Sequence, residues 1–420
     1  MEEESVKHSR AIDAGFMAFA LLMAGIVAAD WNAGRQLYNE GRFAEAAVHF
    51  RETVGSNPNW PSGYLMLGRC QLAMGEYDEA LENLRTAVEL GPDDPTNTVT
   101  LGRALMTVDR YAEARELLDG FDLDSLPPEW KAEVARMQAA CLIEEDRAAD
   151  AVTLLEARLA DDPNRAALHR ALADAHRAVG DRTATFDDLA RAFSLDSADH
   201  ASGRAAVIAA LSLAADAGDD ELKASYYNRA VEIADELATA SPDYENTLLA
   251  GEAAFAAGRL EAAAGWFGAA VKSRPQEPTA QFDLGRTLAA LDHNEEAVVH
   301  LRAALGAAPE AELATHIHGQ LGRLLACSLK LPEAARHYRA AGDNDRADQI
   351  DTLSGGFREA LKRLATLRNS AAEFARMEAQ LDELGDAKGV TAMSDQRKVI
   401  SREIAAIEGN LSEVRTALCR

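Results

Sequence analysis

The chain is short of basic residues, aromatics, paired cysteines and long apolar runs, and each shortage closes off a class of protein. Lys and Arg number 43 against 69 Asp and Glu, a formal charge of −26 over 420 residues. Neutralising phosphates takes a surplus of Lys and Arg, so the balance argues against a nucleic-acid binder or a broad anionic-membrane binder. Aromatics make up only 6 %, while Ala and Leu dominate. That composition suits a helical solenoid better than a sandwich or barrel. Four cysteines, Cys70, Cys141, Cys327 and Cys419, show no CxxC spacing. A disulfide framework, a cysteine-based zinc site and a haem attachment are therefore not expected. They read as small buried apolar residues plus a tail thiol, and unpaired cysteines suit a reducing compartment.

The one apolar stretch near the N-terminus points the other way. Residues 14–29 (AGFMAFALLMAGIVAA) carry no charge and are followed by Asp30-Trp31. The run has the length of a signal-peptide core and is short of the roughly 20 residues that span a bilayer. Val27-Ala28-Ala29 offers small or tolerated residues for cleavage just before Asp30. Lys7 and Arg10 lie upstream, outnumbered by Glu2, Glu3, Glu4 and Asp13. Residues 1–29 thus read as a signal peptide or membrane anchor, or else as an apolar helix capping a soluble array.

What is present is a repeat. Aligning Pro58, Pro92 and Pro163 shows a period of about 34 residues. In Pro61–Asp94, Tyr64, Leu67 and Gly68 precede Gly75, Tyr77 and Ala80, then Leu84, Ala87 and Pro92. Gly68 and Ala80 are small where two helices would cross. Gly75 suits a left-handed helix end, and Pro92 stops the second helix. Tyr77 and Leu84 are expected to fill the space between helices. The small position of the first helix recurs as Gly34, Gly68, Gly102, Ala139, Ala173, Gly251, Gly285 and Gly322. That of the second recurs as Ala46, Ala80, Ala114, Ala151, Ala263, Ala297 and Ala334, with Thr185 departing. These residues resemble the tetratricopeptide repeat signature in type and spacing.

The resemblance implies an all-α, right-handed tetratricopeptide superhelix of nine units over residues 30–342. Its sixth unit, residues 200–243, is long and irregular. Beyond Gly342, Leu353, Phe357, Leu361 and Leu364 begin a three-four spacing, and Ile400, Ile404, Ile407, Leu411, Val414 and Leu418 form a heptad seam. Residues 343–420 therefore read as a helical hairpin or coiled coil, broken at Gly385–Gly389 and capped at Ser394. The hairpin serves either as a cap on the array or as a homo-oligomerisation element.

Signs of chemistry are few. No Walker loop, GxGxxG, HExxH or GxSxG occurs. Ser354-Gly355-Gly356 reads as an interruption between helices, and the histidines as loose surface residues. No catalytic residue, metal or cofactor is expected, and about 75 residues after the array leave no room for a catalytic domain. One ladder stands out: Arg35, Arg69, Arg103, Arg286 and Arg323 each follow the small residue of a first helix. In the family this position implies the concave, peptide-binding face. Trp31, Leu65 and Val99 stand one turn earlier on the first three helices. Arginines alternating with apolar residues suit an extended acidic peptide of a partner protein; the competing reading is that each Arg pairs with an acid of the adjoining repeat. The expected function is a non-catalytic protein-binding scaffold in the cell envelope, or alternatively a cytosolic assembly adaptor.

Overall fold

Small residues at fixed intervals let helices cross closely, and that is how the chain is built. The computed structural model describes residues 30–121 and 126–419. The apolar run of residues 14–29 and the side chain of Cys419 lie outside that description. Among the described residues there is no strand. Helix α1 covers residues 30–39, followed by α2 (Phe43–Ser56), α3 (Pro61–Met74), α4 (Tyr77–Leu90), α5 (Pro95–Thr107), α6 (Tyr111–Asp119) and α7 (Pro128–Glu144). Then come α8 (Ala148–Asp161), α9 (Ala166–Val179), α10 (Arg182–Leu195), α11 (His200–Asp216), α12 (Asp220–Ala240), α13 (Tyr244–Ala256) and α14 (Leu260–Ser273). The series ends with α15 (Pro278–Ala290), α16 (Asn294–Gly306), α17 (Ala311–Cys327), α18 (Leu331–Ala340), α19 (Asn344–Glu383) and α20 (Ala387–Cys419). Within each unit, successive helices pack as pairs and each pair packs on the next, the arrangement of an α-solenoid.

The crossing points are where the repeat demands them. A Cβ added at Gly68 would stand 2.7 Å from Leu84 Cγ, and one at Gly251 would stand 2.5 Å from the Phe267 ring. Ala46, Ala80, Ala114, Ala151, Ala263, Ala297 and Ala334 have no exposed surface. Gly75 ends α3 with φ 80°, in the left-handed region. At the equivalent turns Asp109 (φ 59°), Asp292 (φ 62°) and Leu329 (φ 58°) adopt the same conformation without being glycine. Tyr77 departs from expectation. It opens α4 and is 42 % exposed, so Leu84 fills the crossing without it. Pro128 starts α7 rather than ending the preceding helix, at the position where a missing N–H costs nothing.

Two compact units divide between Ala209 and Ala210, within α11. In the first, buried clusters bridge adjacent pairs, as where Cys141 of α7 packs with Leu101 and Ala104 of α5. In the second, one cluster runs from Ala254 to Ile350, with Phe357 of α19 and Leu418 of α20 packed against it.

The C-terminal helices differ from the expected hairpin in their ends. Helix α19 runs unbroken through Ser354-Gly355-Gly356, because each of these positions lies within a continuous ladder between Asn344 and Glu383. Only residues 384–386 separate α19 from α20. The Asp386 carboxylate accepts from the Gly389 N–H at 3.1 Å, so Asp386, not Ser394, caps α20. The helices lie against each other, tied by Arg368–Glu408 and Arg397–Glu378, each at 2.7 Å. The end of α20 returns to α17. Cys70 and Cys141 are free and buried, as expected, but Cys327 is disulfide-bonded, which corrects the reading of unpaired cysteines.

Candidate functional site

The arginine ladder is placed by the same register that places the small residues. One step beyond a crossing, the side chain leaves the pair interface and turns toward the neighbouring first helix. In the first unit Arg35 on α1 is exposed. Arg69 on α3 donates from Nη2 to Thr100 Oγ1 on α5 at 3.2 Å. Arg103 on α5 is 60 % exposed and pairs with Glu133 on α7, which Arg136 also grips at 2.9 Å. Burial pushes the Glu133 carboxyl up, but the hydrogen bonds from Arg103 and Arg136 outweigh it and hold the group below its ordinary range. A single carboxylate thus answers two guanidiniums. Among the described residues, neither Arg35 nor Arg69 has a carboxylate partner at ion-pair distance.

The apolar companions are not on that surface. Leu65 and Val99 are buried in the packing between helices, at 7 % and 2 % exposure. Trp31 is half-buried, its ring 4.5 Å from Trp60 and 5.4 Å from Phe50. One turn before a crossing residue's neighbour, the helix still faces its own pair, so these three side chains serve the core. The strip is polar, not alternating.

In the second unit the same position is spent differently. Arg286 Nε lies 2.8 Å from Asp283, and its guanidinium sits 4.2 Å over the Phe255 ring and 5.9 Å from that of Phe282. Burial pushes the Asp283 carboxyl up to about 6, against the pull of Arg286. Glu252, at the ladder position of the preceding repeat, is likewise raised by burial and opposed by Arg286. Arg323 donates to Gln320 at 3.3 Å and lines a pocket with Tyr338, Arg346, Ile350 and Leu418. The ladder reading missed this cluster. Its signal was legible in part, since Asp283 stands three residues before Arg286 and Glu252 holds the ladder position itself.

The histidines are not loose. His169 Nδ1 lies 2.9 Å from Asp188, His300 Nδ1 2.8 Å from Gln281 Oε1, and His318 Nδ1 2.8 Å from His337 Nδ1. Each pair links the two helices of one repeat across nineteen residues. Among the described residues, one group of side chains has three metal-ligating donors close together: Asp30, His49 and Glu52.

The repeat is one found in known proteins. Two tetratricopeptide repeat models match, one over residues 37–96 and 71–141, the other over 215–278 and 248–312. Among solved structures, MamA MSR-1 is 22 % identical, with 41 % of this chain and 97 % of that one covered at a TM-score of 0.34. The C-terminal part of a TPR repeat-containing protein from Cytophaga hutchinsonii is 13 % identical, covering 60 % and 99 % at 0.45. PilW, described as a widely conserved type IV pilus biogenesis factor, is 15 % identical, covering 61 % and 97 % at 0.37. Such distant likenesses bear on neither function nor location. No curated protein matches the chain. With its paired helices, small-residue crossings and repeat models matching residues 37–141 and 215–312, the chain is a helical scaffold carrying tetratricopeptide repeats, of the kind that binds other proteins.

Proposed function

We propose that the first unit holds an extended, acidic segment of a partner protein along Arg35, Arg69 and Arg103. The observation that carries this reading is the recurrence of an arginine at one register on three successive first helices, with two of the three lacking a carboxylate partner. Guanidiniums bind carboxylates by paired, charge-assisted hydrogen bonds. In a protein of charge −26, a local positive strip selects acidic segments by contrast with its surroundings. The test is binding of a Glu/Asp-rich peptide to the Arg35→Ala, Arg69→Ala double variant, followed by fluorescence anisotropy at low and high salt. Weaker binding, with the largest loss at low salt and unchanged helicity, supports the strip. Unchanged affinity places recognition elsewhere.

The proposed setting is the cell envelope, outside the cytoplasmic membrane. Two features support it: the apolar run of residues 14–29 ahead of Asp30, and the disulfide at Cys327, a bond that persists in oxidising compartments. Among the described residues no helix is long and apolar enough to cross a membrane. Intact mass of the native protein decides the matter. A mature chain starting at Asp30 supports export, and a soluble protein retaining residues 1–29 supports the cytosolic adaptor instead.

A further inference from the structure

The interhelical clasps of the repeats share one register, and the first of them stands open. In three repeats the pair separated by nineteen residues closes to hydrogen-bond distance: His169–Asp188 at 2.9 Å, Gln281–His300 at 2.8 Å and His318–His337 at 2.8 Å. The equivalent pair of the first repeat is Asp30 and His49. Here Nδ1 of His49 and Oδ1 of Asp30 are 3.5 Å apart. That is beyond the 2.7–3.2 Å typical of such a bond. His49 Nδ1 has no solvent-accessible surface to speak of and no hydrogen-bond partner. Leaving a buried nitrogen unsatisfied is unfavourable, so the open clasp needs a reason that its three counterparts do not.

The first repeat also has a third donor. Glu52 is three residues after His49 on α2, hence on the same helix face, and one ligand atom from each of Asp30, His49 and Glu52 lies within 4.8 Å of the others. The nearby Glu45 is not available, being held by Arg42 at 2.6 Å. Two ligands bonded to a tetrahedral zinc at about 2.0–2.1 Å stand about 3.4 Å from each other. The splayed Asp30–His49 separation matches that spacing and not a hydrogen bond. One imidazole and two carboxylates are donors that suit zinc-class divalent ions, whereas magnesium and calcium prefer all-oxygen sets.

We propose that Asp30, His49 and Glu52 bind a zinc-class divalent cation on the first helical pair. Three protein donors leave a fourth position to water. The ion satisfies the buried His49 nitrogen and pins α1 to α2.

The test uses the full-length, untagged protein, stripped with chelator and titrated with Zn²⁺ alone by calorimetry, then with Co²⁺ by visible absorbance. The wild type is expected to take up one equivalent of Zn²⁺ that His49→Ala lacks, with binding at that site weakened by about 100-fold or more, since even outer-shell changes cost 10–100-fold. Zn²⁺ should also raise the unfolding temperature of the wild type and not that of the variant. Glu52→Gln, at an exposed position, should lower the affinity while leaving circular dichroism unchanged, and it carries the test if His49→Ala fails to fold. Equal Zn²⁺ stoichiometry and affinity in the wild type and Glu52→Gln, or no uptake by the wild type, overturns the proposal and leaves Asp30–His49 an ordinary ion pair.

Discussion

Arg69 and Arg286 occupy the same position in two different repeats, yet they do different work. In the first unit the half-buried Arg69 reaches across to a hydroxyl, Thr100. In the second, Arg286 lies between Asp283, Glu252 and the Phe255 ring, and neutralises a buried acidic cluster. A repeat position therefore sets where a side chain emerges. What it does there is set by its neighbours, which come from other repeats. The first unit leaves Arg35 and Arg69 without a carboxylate at ion-pair distance among the described residues, and the second sets the equivalent Arg286 among acids and a ring.

The contrast can be broken most severely at the helix crossings on which both units depend. Gly251→Val should force the Phe267 ring aside and destabilise the second unit by about 3 kcal/mol or more, read as an early transition in urea unfolding. Next in size is the direct comparison of the arginines. Arg286→Ala leaves the buried Asp283 and half-buried Glu252 carboxyls without their cation and should cost about 1–3 kcal/mol, tempered by the partial exposure of the guanidinium. Arg69→Ala should cost under about 1 kcal/mol and register in peptide binding instead. Equal costs in the two units would remove the distinction.

Acidity offers a gentler probe of the second unit, with two opposed contributions. Folded Asp283 has a carboxyl raised to about 6 by burial, so it binds its proton more tightly folded than unfolded. Its contribution to stability is full below the unfolded value near 4 and is lost as pH rises through about 6. His300, His318 and His337 are held low by burial. Their contribution is present above the unfolded value near 6.5 and is lost as pH falls below it. Asp283→Asn should flatten the decline of urea midpoint between pH 4 and 7, and His337→Gln should reduce the loss between pH 7 and 5. The smallest expected effect lies in the turns. Asp109→Gly relieves a left-handed conformation and should stabilise the first unit by a few tenths to about 1 kcal/mol, seen as a slightly higher unfolding temperature.

Much of this was legible residue by residue. Gly68, Ala80 and Gly75 announced themselves because a close crossing admits only small side chains and a left-handed helix end favours glycine. The hairpin's seam was legible as a three-four spacing, and its ends were not. Gly355 and Gly356 look like a break, but isolated glycines cost a helix about 1 kcal/mol each, which the packing of Phe357 and the flanking turns of α19 can absorb. Ser394 reads as a cap, but Asp386, eight residues earlier and inside the expected Gly385–Gly389 break, takes that role. The arginine ladder was visible as a pattern, whereas the buried fates of Leu65 and Val99 were not.

Sequence by itself determined the helical class, the period of about 34 residues, the crossing positions and the register of the arginines, because these rest on interactions within one helical pair and repeat along the chain. Tertiary structure alone decided that Arg103 meets Glu133, that Arg286 is enclosed by Glu252 and Phe255, that the histidines join helices nineteen residues apart, and that Asp30 and His49 stand open. Those outcomes depend on side chains brought together from different helices, often about one repeat apart in sequence. Where they meet is set by how the pairs stack, to a fraction of an ångström, and no periodicity in the chain records a distance of that size.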